Sequence, residues 1–336
     1  MDYKDIIGHE KVIEALKKII KNGTISHSYL FEGEDSIGKK KVGYAFAKAL
    51  LCRSQKPEPC NECLSCYKFD NNNHPDFFLI EPDKGSIRVP QIEAIIREVT
   101  TLPLESKRKI FLIDDSHKMN IESNIKLLKT LEEPPAYVHF ILVSSNSNNL
   151  LPTILSRVQT IKFYPVEYDK IVDLLVTDHG KTYEEAKFIA EFTKGAVGKS
   201  ISLSQDEEFF QRRDEILKTI DYLVKGDKTL ALSQMNFFRD NKDDIDEILD
   251  IFLLWFRDLL LFKELGQVEL LINKDKLNNL SSQSQVDIRS INDIIVRIEE
   301  TKSNLRRNVN YDLAIQTMLL NIGGIQCNDK GSRSKI

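Results

Sequence analysis

Nowhere does this chain carry a long apolar run free of charge. Its most apolar stretch, "ILDIFLLWFRDLLLF" (Ile248–Phe262), contains Asp250, Arg257 and Asp258, and the uncharged segments between them are too short to cross a bilayer. The stretch reads as a helix buried among other helices. The N-terminus, "MDYKDIIGHEK", is charged and lacks an apolar core followed by a cleavage site. The expectation is a cytoplasmic protein with no membrane contact. A basic surplus is missing as well: 47 Lys and Arg stand against 51 Asp and Glu, a net charge of −4. A protein whose main task was gripping the DNA backbone alone would show the opposite balance, so any contact with nucleic acid is expected to be weak or to run through partners. Cysteine is scarce at five residues, yet four of them fall between Cys52 and Cys66. What remains is the profile of an ordinary globular protein, 41% hydrophobic and 29% charged, with 336 residues for two or three domains.

One further absence lies inside a motif. "GEDSIGKKK" keeps the Gly-x4-Gly-Lys frame of a phosphate-binding loop at Gly33, Gly38 and Lys39. Backbone N–H groups of such a loop wrap phosphates, with a helix dipole behind them and the Lys adding a point charge. The next position should carry the hydroxyl that holds magnesium, and it is Lys40. The second half of an ATPase site should be an apolar strand ending in Asp-Glu; here it is "IFLIDD", ending at Asp114 and Asp115. Asp114 could still hold a metal through water, whereas Asp115 is one methylene shorter than the Glu that would activate the attacking water. Phosphoryl transfer is mostly positioning, and a displacement of about 1 Å can cost on the order of a hundredfold. Turnover at this site is not expected, and bound nucleotide is left open.

The first half alternates strand-like and helix-like segments. "HSYLFEG", "DFFLIEP", "KIFLIDDS", "VHFILVSS" and "QTIKF" read as strands, and Lys39–Cys52, Pro90–Thr100 and Asn120–Glu133 as helices. That order predicts an α/β fold, a parallel sheet with helices on both faces and ligands at the carboxyl ends of the strands. From about Tyr164 the strand signals stop. Short helices ending at Gly180 and Gly195 come next, and the pattern is helical from Glu207 to Ile322. The polar tail "QCNDKGSRSKI" is expected to be disordered.

Between helix and strand, "CRSQKPEPCNECLSC" spaces Cys52, Cys60, Cys63 and Cys66 as C-x7-C-x2-C-x2-C. Four thiols with two C-x2-C steps fit a closed, tetrahedral structural zinc site. Redox, iron–sulfur and free-thiol readings are the alternatives. His74 in "NHPD" is read as a loop residue rather than a ligand.

Taken together, the phosphate loop followed by this cysteine module resembles the bacterial clamp-loader subunits of the AAA+ class. "HPDFFLIEP", "LLKTLEEPP", "LPTILSR" and "NVNYDLAIQTMLLNI" agree, so the resemblance runs from Ile6 to Ile322. It implies a zinc-bearing AAA+ domain over 1–165 with the zinc module at 52–66, a helical lid over 166–207, a helical collar over 208–325 and a disordered tail over 326–336. The family contains ATP-hydrolysing tau/gamma-type subunits and a delta-prime branch that has often lost its nucleotide site. Lys40, Asp115 and Gly198, which stands where a sensor-two arginine is expected, make this sequence similar to the second. An active tau/gamma-type ATPase is the alternative. The resemblance further implies partners: tau/gamma and delta subunits in a hetero-pentamer of the DNA polymerase III holoenzyme, loading a sliding clamp on primed DNA. Arg157, in "TILSRV", matches the family's arginine finger, presented to ATP held by a neighbouring subunit; Val158 departs from the family's Cys.

Overall fold

β-branched and aromatic residues dominate five short segments, and these five form one parallel sheet: β1 (Ser28–Glu32), β2 (Phe77–Ile80), β3 (Lys109–Ile113), β4 (Val138–Ser144) and β5 (Gln159–Lys162). Their order across the sheet is β2-β3-β4-β1-β5, and every pairing is parallel. The computed structural model describes residues 2–224, 228–307 and 309–323. The five strands and the helices α2 (Lys39–Leu51), α4 (Val89–Val99) and α5 (Ile121–Glu132) lie where the sequence pattern put them.

Successive strand residues point to opposite faces, and the core divides accordingly. Tyr29 and Phe31 of β1, Leu112 of β3 and Ile141 of β4 pack with Val42, Phe46 and Leu50 of α2. Leu30, Phe111, Phe140 and Leu142 turn the other way, toward Ile92 and Ile95 of α4 and Leu127 and Leu131 of α5. The series read from the sequence begins at His27, and the structure adds an earlier helix, α1 (Glu10–Asn22), burying Ile13 and Leu16. Its start is unmarked by an ordinary cap: His9 sits there with φ +62° and no side-chain capping bond.

α3 (Leu64–Asp70) and the four-residue α6 (Pro152–Leu155) complete the sheet region. Then come α7 (Tyr168–His179), α8 (Tyr183–Phe192) and α9 (Val197–Gln205). Gly180 ends α7 in a left-handed conformation, as its position suggested. Gly195 forms the turn between α8 and α9, where an added Cβ would lie 2.6 Å from the Val166 carbonyl oxygen.

The chain divides into two compact units, one ending at Ser204 and one beginning at Gln205. The second unit is all-helical: α10 (Phe209–Val224), α11 (Lys228–Ser233), α12 (Met235–Asp240), α13 (Ile245–Leu265), α14 (Leu277–Ser282), α15 (Ile288–Arg306) and α16 (Tyr311–Ile322). α13 contains the most apolar stretch and buries Ile248, Phe252, Trp255, Phe256 and Leu259 inside this unit. Its fully buried Asp258 accepts hydrogen bonds from the backbone N–H groups of Ile272 and Asn273. No described helix is long and apolar enough to cross a membrane. The expected disordered tail and Cys327 lie outside the described residues.

Candidate functional site

The carboxyl ends of β1, β2 and β3 bring together the residues read as a nucleotide site. The loop from Gly33 to Gly38 leaves β1 and enters α2. Gly33 is required by space, since a Cβ there would stand 2.6 Å from the Phe163 carbonyl oxygen. Gly38 is required by conformation, with φ +105° at the first turn of α2. Behind the loop, Nε2–H of His9 donates to the carbonyl of Ile37 at 2.7 Å, which fixes the imidazole tautomer.

The loop is closed on itself by its own cations. Lys39 is buried, and its ammonium donates to the carbonyls of Gly33, at 2.8 Å, and Glu34. Burial lowers the basicity of Lys39, against the pull of Asp35, Asp115 and Asp114. Lys40 reaches across the sheet ends: its Nζ lies 2.9 Å from Asp114 Oδ2 and pairs also with Glu81 Oε1, at the end of β2. Burial pushes the Lys40 pKa down, but the hydrogen bonds it donates to Glu81 and Asp114 outweigh this and hold it above the ordinary lysine value. The ammonium is therefore fully charged at neutral pH, standing between two carboxylates. Asp115, at φ +46°, turns away to pair with Lys118 at 2.8 Å. Glu34 and Asp35 are exposed on the loop and put negative charge where phosphates would arrive.

Helix α9 seals the loop from another side. The N–H of Gly198 donates to the carbonyl of Ser36 at 2.7 Å, and a Cβ at Gly198 would lie 2.9 Å from that same oxygen. An arginine at 198 would need the loop or the helix to move. Neighbouring Lys199 stands over the Phe192 ring instead, 5.4 Å from its centroid.

Arg157 follows α6. Its Nη1 donates to the carbonyl of Thr153 at 2.9 Å and to Ser156 Oγ at 3.1 Å, and its Nη2 pairs with Glu132 Oε1 at 2.9 Å. The two sequence stretches "LEEPP" and "ILSR" thus meet in an ion pair.

The four clustered cysteines converge, their sulfurs all within 4.8 Å of one another. Cys52 Sγ lies 3.5 Å from Cys60 Sγ and 4.0 Å from Cys63 Sγ. A tetrahedral site with Zn–S bonds of about 2.3 Å has sulfur–sulfur edges of about 3.8 Å, so the spacing fits. The backbone N–H of Cys60 points at Cys52 Sγ and that of Cys66 at Cys63 Sγ, at 3.3 and 3.4 Å. Burial pushes the Cys63 thiol up, but the backbone N–H groups of Cys66 and Arg53 outweigh this and bring it down to about 6. Cys52 is also held below the ordinary thiol value, whereas burial pushes the Cys66 thiol up. Four convergent sulfurs, two of them thiolate-prone, could together fill the four positions of a closed structural metal site.

Comparison with known proteins decides what kind of chain this is. Residues 8–167 match the family described as DNA polymerase III, delta subunit, and residues 207–323 match its C-terminal family. Over 315 residues the chain is 31% identical to DNA polymerase III subunit delta' of Bacillus subtilis, covering 92% of this chain and 94% of that protein. The chain belongs to the delta' family of DNA polymerase III subunits. The resemblance drawn from its motifs is borne out. It is also 30% identical to DNA polymerase III subunit tau of the same organism, across 82% of this chain and 53% of tau. A solved gamma-subunit-related protein from Thermotoga maritima aligns over 93% of this chain and 99% of its own, at 19% identity and a TM-score of 0.42.

The stretch "HPDFF" (His74–Phe78) has a structural role that sequence reading did not supply. His74 is buried, and both its ring nitrogens are engaged within the chain: its Nδ1 accepts from the Asp76 N–H, and its Nε2 bonds Ser65 Oγ at 2.9 Å. Asp76, fully buried, accepts the backbone N–H groups of Leu104, Glu105 and Ser106 at 2.6, 2.9 and 2.7 Å. The motif joins the cysteine module to the turn before β3. Replacing Asp76 by alanine strands three backbone donors and should cost about 2–4 kcal/mol, measurable as a lowered urea midpoint with little change in slope. Glu81 and Glu132 were also missed as site residues, although both stand inside quoted motifs.

Proposed function

We propose that this chain acts as a delta'-type clamp-loader subunit that no longer hydrolyses ATP and serves the ATP site of a neighbour. It would sit with tau/gamma-type and delta subunits in a hetero-pentamer, in the cytoplasm, and help open a sliding clamp for loading on primed DNA. Helices α7–α9 (166–207) would form the lid, and α10–α16 the collar. The cysteines Cys52, Cys60, Cys63 and Cys66 would hold one structural zinc ion. Arg157 would be the finger offered to the neighbour's nucleotide.

The observation carrying the inert-site reading is Lys40, whose ammonium takes up the Asp114 carboxylate and Glu81 together. A magnesium ion needs those oxygens and the hydroxyl that Lys40 replaces. Lys39, turned onto loop carbonyls, and Gly198, packed on Ser36, support the same reading. The intact frame of Gly33, Gly38 and Lys39, with the likeness to tau, favours the rival: an ATP-hydrolysing tau/gamma-type subunit.

Titrating the purified chain with a fluorescent ATP analogue, with and without magnesium, followed by a turnover assay, separates the two. The expected outcome is no magnesium-dependent binding and no turnover. Binding unaffected by magnesium, again without turnover, would make nucleotide a fixed structural part held with Lys40 in place of the metal. Magnesium-dependent hydrolysis at an ordinary rate would overturn the reading.

A further inference from the structure

We infer that Glu132 is a positioning residue, a latch that holds Arg157 back until a neighbour's phosphoryl group competes for it. This rests on the reading of Arg157 as a finger and adds a residue to which no role has been given. Both terminal nitrogens of Arg157 are engaged inside its own chain. The Nη1 partners, Thr153 and Ser156, belong to the same turn and would travel with the arginine. Glu132 is the partner from outside that turn, reached by Nη2 at 2.9 Å.

Glu132 is also placed where a carboxylate is not otherwise welcome. It is the last residue of α5, beside Glu133 and ahead of Pro134, at the end where the helix dipole is negative. An acid at that end gains little from its own helix and needs a cation from elsewhere, which Arg157 supplies. The side chains of the pair are 35% and 43% exposed, so solvent weakens the bond and exchange is cheap. Carboxylate and phosphoryl oxygens present the same bidentate geometry to a guanidinium. An incoming phosphate can therefore take the place of Glu132, and the arginine never stands unpaired. The same competition means that Glu132 subtracts from the finger's occupancy in the assembled complex.

The test is single-turnover ATP hydrolysis by the complex reconstituted with tau/gamma-type and delta subunits, carrying the Glu132→Gln, Arg157→Ala or doubly substituted chain. Glutamine keeps the shape and removes the charge, and thermal unfolding checks that each chain is folded. Glu132→Gln should speed the phase that depends on Arg157 by about two- to fivefold, the size expected from loss of a half-exposed ion pair. The substitution should do nothing once Arg157 is alanine. A rate that is unchanged or lowered in Glu132→Gln, while Arg157→Ala is slow, overturns the latch and leaves the finger standing. Arg157→Ala with the rate of the unsubstituted complex overturns the finger, and the latch with it.

Discussion

Replacing Arg157 by alanine should leave the chain folded and able to assemble, and lower hydrolysis at the neighbouring ATP site by about 10³-fold or more. The two halves of this expectation come from different physics. Within its own chain Arg157 makes one half-exposed ion pair and two local hydrogen bonds, and such a set is worth no more than about 1 kcal/mol to stability. Placed on a phosphoryl group in transfer, the same guanidinium meets charge spread over three oxygens in a site with little water, where each hydrogen bond counts far more. A mutant that is stable yet inactive in trans is the signature of that division. Lysine at 157 should rescue only weakly, because an ammonium cannot supply the planar fork. The readout is ATP turnover of the complete complex beside the melting curve of the isolated chain. Equal loss in both, or no loss of turnover, would return Arg157 to the role of an ordinary surface residue.

Much of this site could be read before any fold was known, and the limits of that reading follow from distance along the chain. The Gly33–Gly38–Lys39 frame is local: it lies within seven consecutive residues. The same holds for strands recognised by runs of β-branched and aromatic residues, and for four cysteines in one short segment. The pairings that occupy the site are not local. Lys40 finds Glu81 at a separation of 41 residues. Ser36 meets Gly198 only because α9 lies against the loop, and Glu132 meets Arg157 only because α5 and α6 come together after β4 intervenes. Sequence showed that the magnesium hydroxyl was missing. It could not show that the replacement reaches Asp114 and Glu81 at once. α1 escaped notice for a different reason, since His9 begins it in a left-handed conformation that no sequence rule assigns to histidine.

The largest effect on the fold itself should come from the cysteine cluster. Metal analysis of the chain, prepared without chelator, should find about one zinc per molecule, and replacing Cys60 and Cys63 by serine should abolish it. Structural zinc contributes apparent free energies of about 10–16 kcal/mol in small peptides. Here the fold has a separate hydrophobic core, so the loss should be local rather than global. Cys52 ends α2 and Cys63 caps α3, whose Ser65 bonds both the Leu51 carbonyl and His74. Between Cys52 and Leu64 the residues are polar or proline apart from the cysteines themselves, so little but the sulfurs can order that segment. Without metal, two thiolate-prone sulfurs, Cys52 and Cys63, would stand 4.0 Å apart with nothing between them. The module from Cys52 to about His74 should then become the first site of proteolysis, while the sheet and α2 stay folded. Protease mapping with and without a strong chelator reads this directly. A chain that carries no zinc, or one whose digestion is indifferent to the chelator, would assign these four cysteines to packing alone.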